Sequence, residues 1–92
     1  MISSERITYM NGDFIPESEA KVHFRDRSFK YGDGVFDMTR TFGHKIFKIE
    51  EHVERLYRSL NYLDIKINLT PKEMIDISND VLQKNLHLIN KD

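Results

Sequence analysis

Arg55 lies three residues after His52 and four before Ser59, so on a helix the three side chains share one stripe. A guanidinium, an imidazole and a hydroxyl gathered there suit a phosphate or a carboxylate, which a planar N–H fork grips in bidentate fashion. The alternative is an arginine paired with Glu51 on a solvated face. A second arginine stands on the segment Val35 to Phe42, whose β-branched and aromatic residues predict a strand. Side chains alternate along a strand, which puts Phe36, Met38, Arg40 and Phe42 on one face and Val35, Asp37, Thr39 and Thr41 on the other. Arg40 among apolar neighbours reads as a carboxylate clamp in an apolar pocket. Pattern alone favours the plainer reading, an edge-strand arginine whose stem covers the hydrophobes while its head stays in water.

Other chemistries find less support. Tyr31-Gly32-Asp33-Gly34 departs from the dinucleotide fingerprint, because Asp37 stands where the third glycine belongs and a strand, not a helix, follows. A tight turn accounts for the two glycines. Asp33 and Asp37 are a candidate carboxylate pair. His23, His44, His52 and His87 show no recurring ligand interval, so no metal site is expected. The absence of cysteine removes disulfides, thiolate metal sites and a thiol nucleophile, and there is no Gly-x-Ser-x-Gly elbow.

The elements that must position these residues follow from periodicity. Asn11-Gly12 between Ile7–Met10 and Phe14-Ile15 predicts a hairpin, since both central positions of its turn need positive φ. Pro16 ends the return strand, residues 17–20 form a turn, and Lys21 to Phe24 are expected as a short strand. Arg25 to Tyr31 read as a loop with one helical turn. Gly43-His44 separates the strand over residues 35–42 from Ile46-Phe47-Lys48-Ile49, giving a second hairpin. Ile49, Val53, Leu56, Tyr57, Leu60 and Leu63 recur at helical intervals and predict an amphipathic helix over residues 50–62. Thr70-Pro71-Lys72-Glu73 is a capping box with proline at the first helical position, opening a helix to about residue 85 with Met74, Ile77, Val81 and Leu82 inward. The fold class is α+β, a mainly antiparallel sheet of two hairpins covered by two helices.

Ninety-two residues make one small domain. A chain of this length buries only about 60 to 65% of its unfolded surface, so its core is small. Fourteen basic and fifteen acidic residues nearly cancel, which argues against nucleic acid or an anionic membrane as partner. No apolar run approaches a membrane span and the start has no apolar signal region, so a soluble, unexported, cytoplasmic protein is expected.

The ordered set Asn11-Gly12, Asp26-Arg27, Tyr31 to Asp37 and Glu51-His52-Val53-Glu54-Arg55-Leu56 resembles the N-terminal region of the class-IV aminotransferases, over Tyr9 to about Ile67. That family includes branched-chain and D-amino-acid aminotransferases, (R)-selective amine transaminases and aminodeoxychorismate lyases. The resemblance implies pyridoxal 5′-phosphate as cofactor, amino acids and 2-oxo acids as substrates, and a homodimer. It gives Arg55 the role of binding the cofactor's phosphate. It makes Phe36 substrate-facing, Arg40 site-lining and Tyr31 an aromatic that reaches the neighbouring subunit's site, and Met38, on the same strand face as Phe36 and Arg40, is a further substrate-binding candidate. Asp37 stands where many members carry glutamate.

In the family, the lysine that holds the cofactor lies in a second, larger domain. None of Lys21, Lys30, Lys45, Lys48, Lys66, Lys72, Lys84 and Lys91 sits at the matching position, so no catalytic residue is expected here. Residues 1–92 are thus expected to be a truncated N-terminal small domain without the lysine-bearing domain, and not catalytic alone. The implied function is that of the N-terminal portion of an amino-acid transaminase, with branched-chain donors first. The alternatives are a D-amino-acid or (R)-amine transaminase or aminodeoxychorismate lyase as parent, or a non-catalytic half-site module that pairs with a full-length relative.

Overall fold

The computed structural model describes residues 5–26, 31–32 and 34–88. Strand β1 (Ile7–Met10) pairs antiparallel with β2 (Asp13–Pro16), and β3 (Thr41–Phe42) pairs antiparallel with β4 (Lys45–Ile46). Helix α1 (Ile49–Tyr62) and helix α2 (Pro71–Asn85) follow, with single 3₁₀ turns at Glu17–Glu19 and Leu86–Leu88.

Both hairpins turn on a pair of left-handed residues. Asn11 and Gly12 have φ of 52° and 94°, and Gly43 and His44 have φ of 57° and 61°. Two successive positive φ values match the right-handed twist of the flanking strands, as in type I′ turns. In the first hairpin Tyr9 faces Phe14, and their rings meet edge to face at 5.2 Å. Ile7 faces Pro16 while Glu17 N–H donates to the Arg6 carbonyl, so Ile7 and Pro16 form a non-hydrogen-bonded pair. Proline's missing N–H costs nothing there. The same geometry turns the N–H and C=O of Ile7 outward, where the Asn85 side chain meets both at 2.8 Å. The last residue of α2 thereby closes this end of the β1 edge.

Helix α1 leaves Lys48 in the left-handed region with no side-chain cap. Its C-terminus is a Schellman motif: Ile65 N–H donates to the Leu60 carbonyl and Asp64 N–H to that of Asn61, with Asp64 at φ 56°. The Tyr57 hydroxyl donates to the Leu69 carbonyl at 2.6 Å and pins the connection to α2. Helix α2 opens on the expected capping box: Thr70 Oγ1 accepts from Glu73 N–H, and Glu73 Oε1 accepts from Thr70 N–H. It packs on both α1 and β1. Met74, Ile77 and Val81 are half-buried and Leu82 is buried, as their spacing requires.

Among the described residues the buried apolar side chains are Val53, Leu60 and Leu82, and none of them is fully buried. The radius of gyration is 14.5 Å, against about 12 Å for a compact chain of this length. The core is sparse, and no helix among the described residues is long and apolar enough to cross a membrane.

Two sequence expectations need correction. Residues 21–24 form no strand; they run as irregular chain into a turn in which Asp26 N–H donates to the His23 carbonyl. The long strand over residues 35–42 shrinks to Thr41–Phe42, because the stretch before it has no ladder partner among the described residues. Its pairing extends only by Phe47 N–H donating to the Arg40 carbonyl. The expected α+β class of two antiparallel hairpins and two helices holds, each hairpin forming its own two-stranded sheet. Of the loop expected over residues 25–31, residues 27–30 lie outside the described residues, as does Asp33; Tyr31 is helical.

Candidate functional site

Although residues 35–40 form no ladder, the period of two survives in the exposure of residues 35–38, and Thr39 breaks it by being exposed. Phe36 and Met38 are 86% and 77% exposed. Asp37 points the other way, toward α1, and its side chain is only 12% exposed. Thr39 helps to hold the segment, its hydroxyl donating to the Phe47 carbonyl at 3.0 Å.

A carboxylate turned inward needs a cation, and α1 supplies one. Arg55 Nε donates to Asp37 Oδ2 at 2.8 Å and Arg55 Nη2 to Asp37 Oδ1 at 2.6 Å, a bidentate pair. His52, one turn earlier, places Nδ1 2.8 Å from the same Oδ1 and 3.0 Å from Arg55 Nη2. The carboxylate can only accept, so Nδ1 carries the hydrogen toward it, and the Nη2 approach is a contact between donors. The Arg55 and His52 hydrogen bonds hold the Asp37 carboxyl well below the usual carboxylate range, against a smaller opposing effect of burial. The same pairing raises Arg55 further above its ordinary value.

The partner of Arg55 is thus Asp37 rather than Glu51. The nearer i, i+4 ion pair belongs to Arg58 and Glu54, at 2.9 Å. Asp37 engages one edge of the Arg55 fork and leaves the Nη1 hydrogens unengaged by it. Arg55 remains 58% exposed and lines a cleft of about 390 Å³ with Val35, Arg58, Ser59, Tyr62 and Leu63. Two guanidiniums and a hydroxyl in an open cleft form a donor set for an anion.

The other sequence candidates lie apart from that cleft. Met38 borders a smaller hollow of about 100 Å³, which also touches Asp37, His52 and Met74. The Arg40 guanidinium lies 4.3 Å from the centre of the Phe42 ring, a cation–π contact on the exposed side. Tyr31 and Phe36 are exposed. Asp37 as the partner of Arg55 was the residue that spacing alone could not supply. Alternation did put it opposite Phe36 and Met38, on the face turned toward α1, and an inward acid demands a cation.

The amino-transferase class IV family model matches residues 34–88, more than half of the chain and the whole of the Asp37–His52–Arg55 cluster. The chain belongs to the class-IV aminotransferases. Among its relatives, a D-alanine aminotransferase of Staphylococcus aureus is 36% identical over 77 residues, covering 84% of this chain and 27% of that protein. A putative branched-chain-amino-acid aminotransferase of Methanocaldococcus jannaschii is 44% identical over 77 residues, with the same coverage. The solved structure of a T.th. branched-chain amino acid aminotransferase, complexed with N-(5′-phosphopyridoxyl)-L-glutamate, superposes with a TM-score of 0.81 at 32% identity. That match covers 88% of this chain and 28% of the other. The chain thus spans little more than a quarter of the length of the relatives it matches.

Proposed function

We propose that this chain is the N-terminal portion of a pyridoxal-phosphate-dependent amino-acid transaminase, moving an amino group between an amino acid, branched-chain first, and a 2-oxo acid. The observation that carries the proposal is the cleft at Arg55, whose donor set suits the phosphate end of such a cofactor. Arg55 would hold the phosphate through the edge of the fork that Asp37 leaves unengaged, and the Ser59 hydroxyl lies four residues on, along the same helical face. Pyridoxal phosphate, when bound, supplies the electron sink for amino transfer. Residues 1–92 contribute the phosphate grip and part of the substrate pocket as a single small domain, and they supply no catalytic residue.

Phe36 and Met38 would present an apolar wall to the substrate's side chain, and Arg40 would take its carboxylate. Tyr31 would reach the neighbouring subunit of a homodimer. The high exposure of Phe36 and Met38 supports a surface that is covered in the whole protein. A second reading, a D-amino-acid transaminase, is favoured by the Staphylococcus aureus relative.

The test is a chimera in which this chain replaces the corresponding N-terminal residues of a branched-chain relative. The expected result is amino transfer from L-valine or L-leucine to 2-oxoglutarate, with cofactor affinity reduced by Arg55→Ala. Transfer from D-alanine alone would select the second reading. A folded chimera that binds cofactor and moves no amino group from either donor would overturn both.

A further inference from the structure

Resting on the phosphate role of Arg55, we propose that Asp37 is a positioning residue: its carboxylate grips one edge of the guanidinium and thereby presents the other edge to the anion. The two side chains differ in freedom. Arg55 is long, rotamer-rich and more than half exposed, and fixing such a side chain costs conformational entropy unless something already holds it. Asp37 is short and almost buried, on a segment fastened to Phe47 through both Thr39 and Arg40. The carboxylate is therefore the fixed partner and the arginine the one being aimed.

His52 completes the arrangement. Its Nδ1–H donates to the Oδ1 that also accepts from Arg55 Nη2, which orients the carboxylate in turn. Asp37 is thus held from both sides, by α1 and by the β3–β4 hairpin. A negative charge beside an anion site carries an electrostatic cost, so the opposing possibility is definite: Asp37 would compete with phosphate for the fork. The Asp37 carboxyl, held below the usual carboxylate range by Arg55 and His52, keeps its charge and its grip throughout the neutral and mildly acidic range.

The experiment titrates inorganic phosphate into the ¹⁵N-labelled chain and follows the backbone amide signals of residues 55–60. Four proteins are compared: parent, Arg55→Ala, Asp37→Asn and Asp37→Glu. Asp37→Asn should weaken phosphate binding about tenfold, the size seen when the partner orienting a ligand is removed. Asp37→Glu should recover most of the loss, and helical circular dichroism should stay at the parent level. A separate readout is the Arg55 Nε–H proton, which should exchange slowly in the parent and fast in Asp37→Asn. Equal or tighter phosphate binding by a folded Asp37→Asn overturns the proposal and makes Asp37 a competitor. If that variant fails to fold, Nε–H exchange in the parent decides, and fast exchange overturns the proposal. Phosphate binding that survives Arg55→Ala refutes the phosphate role itself, and that arm alone separates the two failures.

Discussion

Replacing Asp64 with glycine should make the fold more stable, and the structure says by how much and through which terms. Asp64 follows the C-cap of α1 with φ at 56°, in the left-handed region that a Schellman end requires. An L-residue there costs roughly 1–2 kcal/mol, with aspartate at the low end because its short side chain tolerates the region. A carboxylate at a helix C-terminus also faces the negative end of the dipole, which adds about 0.3–1 kcal/mol of destabilisation. Glycine removes both costs but adds freedom to the unfolded chain, which takes back about 0.4–1 kcal/mol. The net expectation for Asp64→Gly is a gain of about 0.5–1 kcal/mol. For a domain of this size that corresponds to a rise in Tm of roughly 2–8 °C, read by thermal denaturation followed by helical circular dichroism. Asp64→Asn should keep the backbone tolerance, remove the charge and gain about 0.3 kcal/mol, an effect that salt erases. Asp64→Ala keeps the unfavourable φ and should gain nothing. If alanine stabilises as much as glycine does, the charge is the whole effect and the conformational argument fails.

Asn85→Ala removes both bonds to the outward backbone groups of Ile7 and should cost about 1–3 kcal/mol in urea denaturation; the Ile7 amide should lose its hydrogen-exchange protection, and retained protection would count against the bridge. Asn85→Asp should be worse than alanine, since a carboxylate would face the Ile7 carbonyl at the negative end of α2. The Asp37 carboxyl sits below its ordinary value in the folded chain, so between the folded and unfolded values the unfolded chain binds more protons. The stability it contributes is complete above about pH 4 and drains away as the pH falls below that. Asp37→Asn should therefore flatten the acid limb of stability against pH, and an unchanged limb would show that the cluster does not outlast the unfolded state's own interactions.

Local structure in this chain is legible in its sequence, and non-local pairing is not. Thr70, Pro71 and Glu73 are neighbours whose side chains answer one another's backbone, and α2 begins where they say. Asn11-Gly12 favours left-handed backbone at both turn positions whatever surrounds it, and both have positive φ. The segment before Thr41 shows the limit: β-branched and aromatic residues make a strand only where a partner offers a ladder, and propensity carries no information about the partner. The site shows the same division. The stripe of His52, Arg55 and Ser59 follows from the helical repeat, whereas the Asp37–Arg55 pair joins residues 18 apart across a turn, a strand pair and a helix start. Arg55 did not take Glu51 because the inward carboxylate is the partner that would otherwise be left without a cation.

The bridge between Ile7 and Asn85 spans 78 positions, nearly the whole chain, and this sets an order of events during synthesis. At about 5–20 residues per second, roughly 4–16 s pass between the making of one partner and of the other. A β-hairpin forms in microseconds, so the first hairpin exists long before its outer edge can be closed. Through that interval the nascent chain carries an open strand edge beside an exposed Phe14, a form that pairs readily with a neighbouring copy on the same message. The final turn of α2 ends that exposure, and any stall on the ribosome shortly before Asn85 prolongs it.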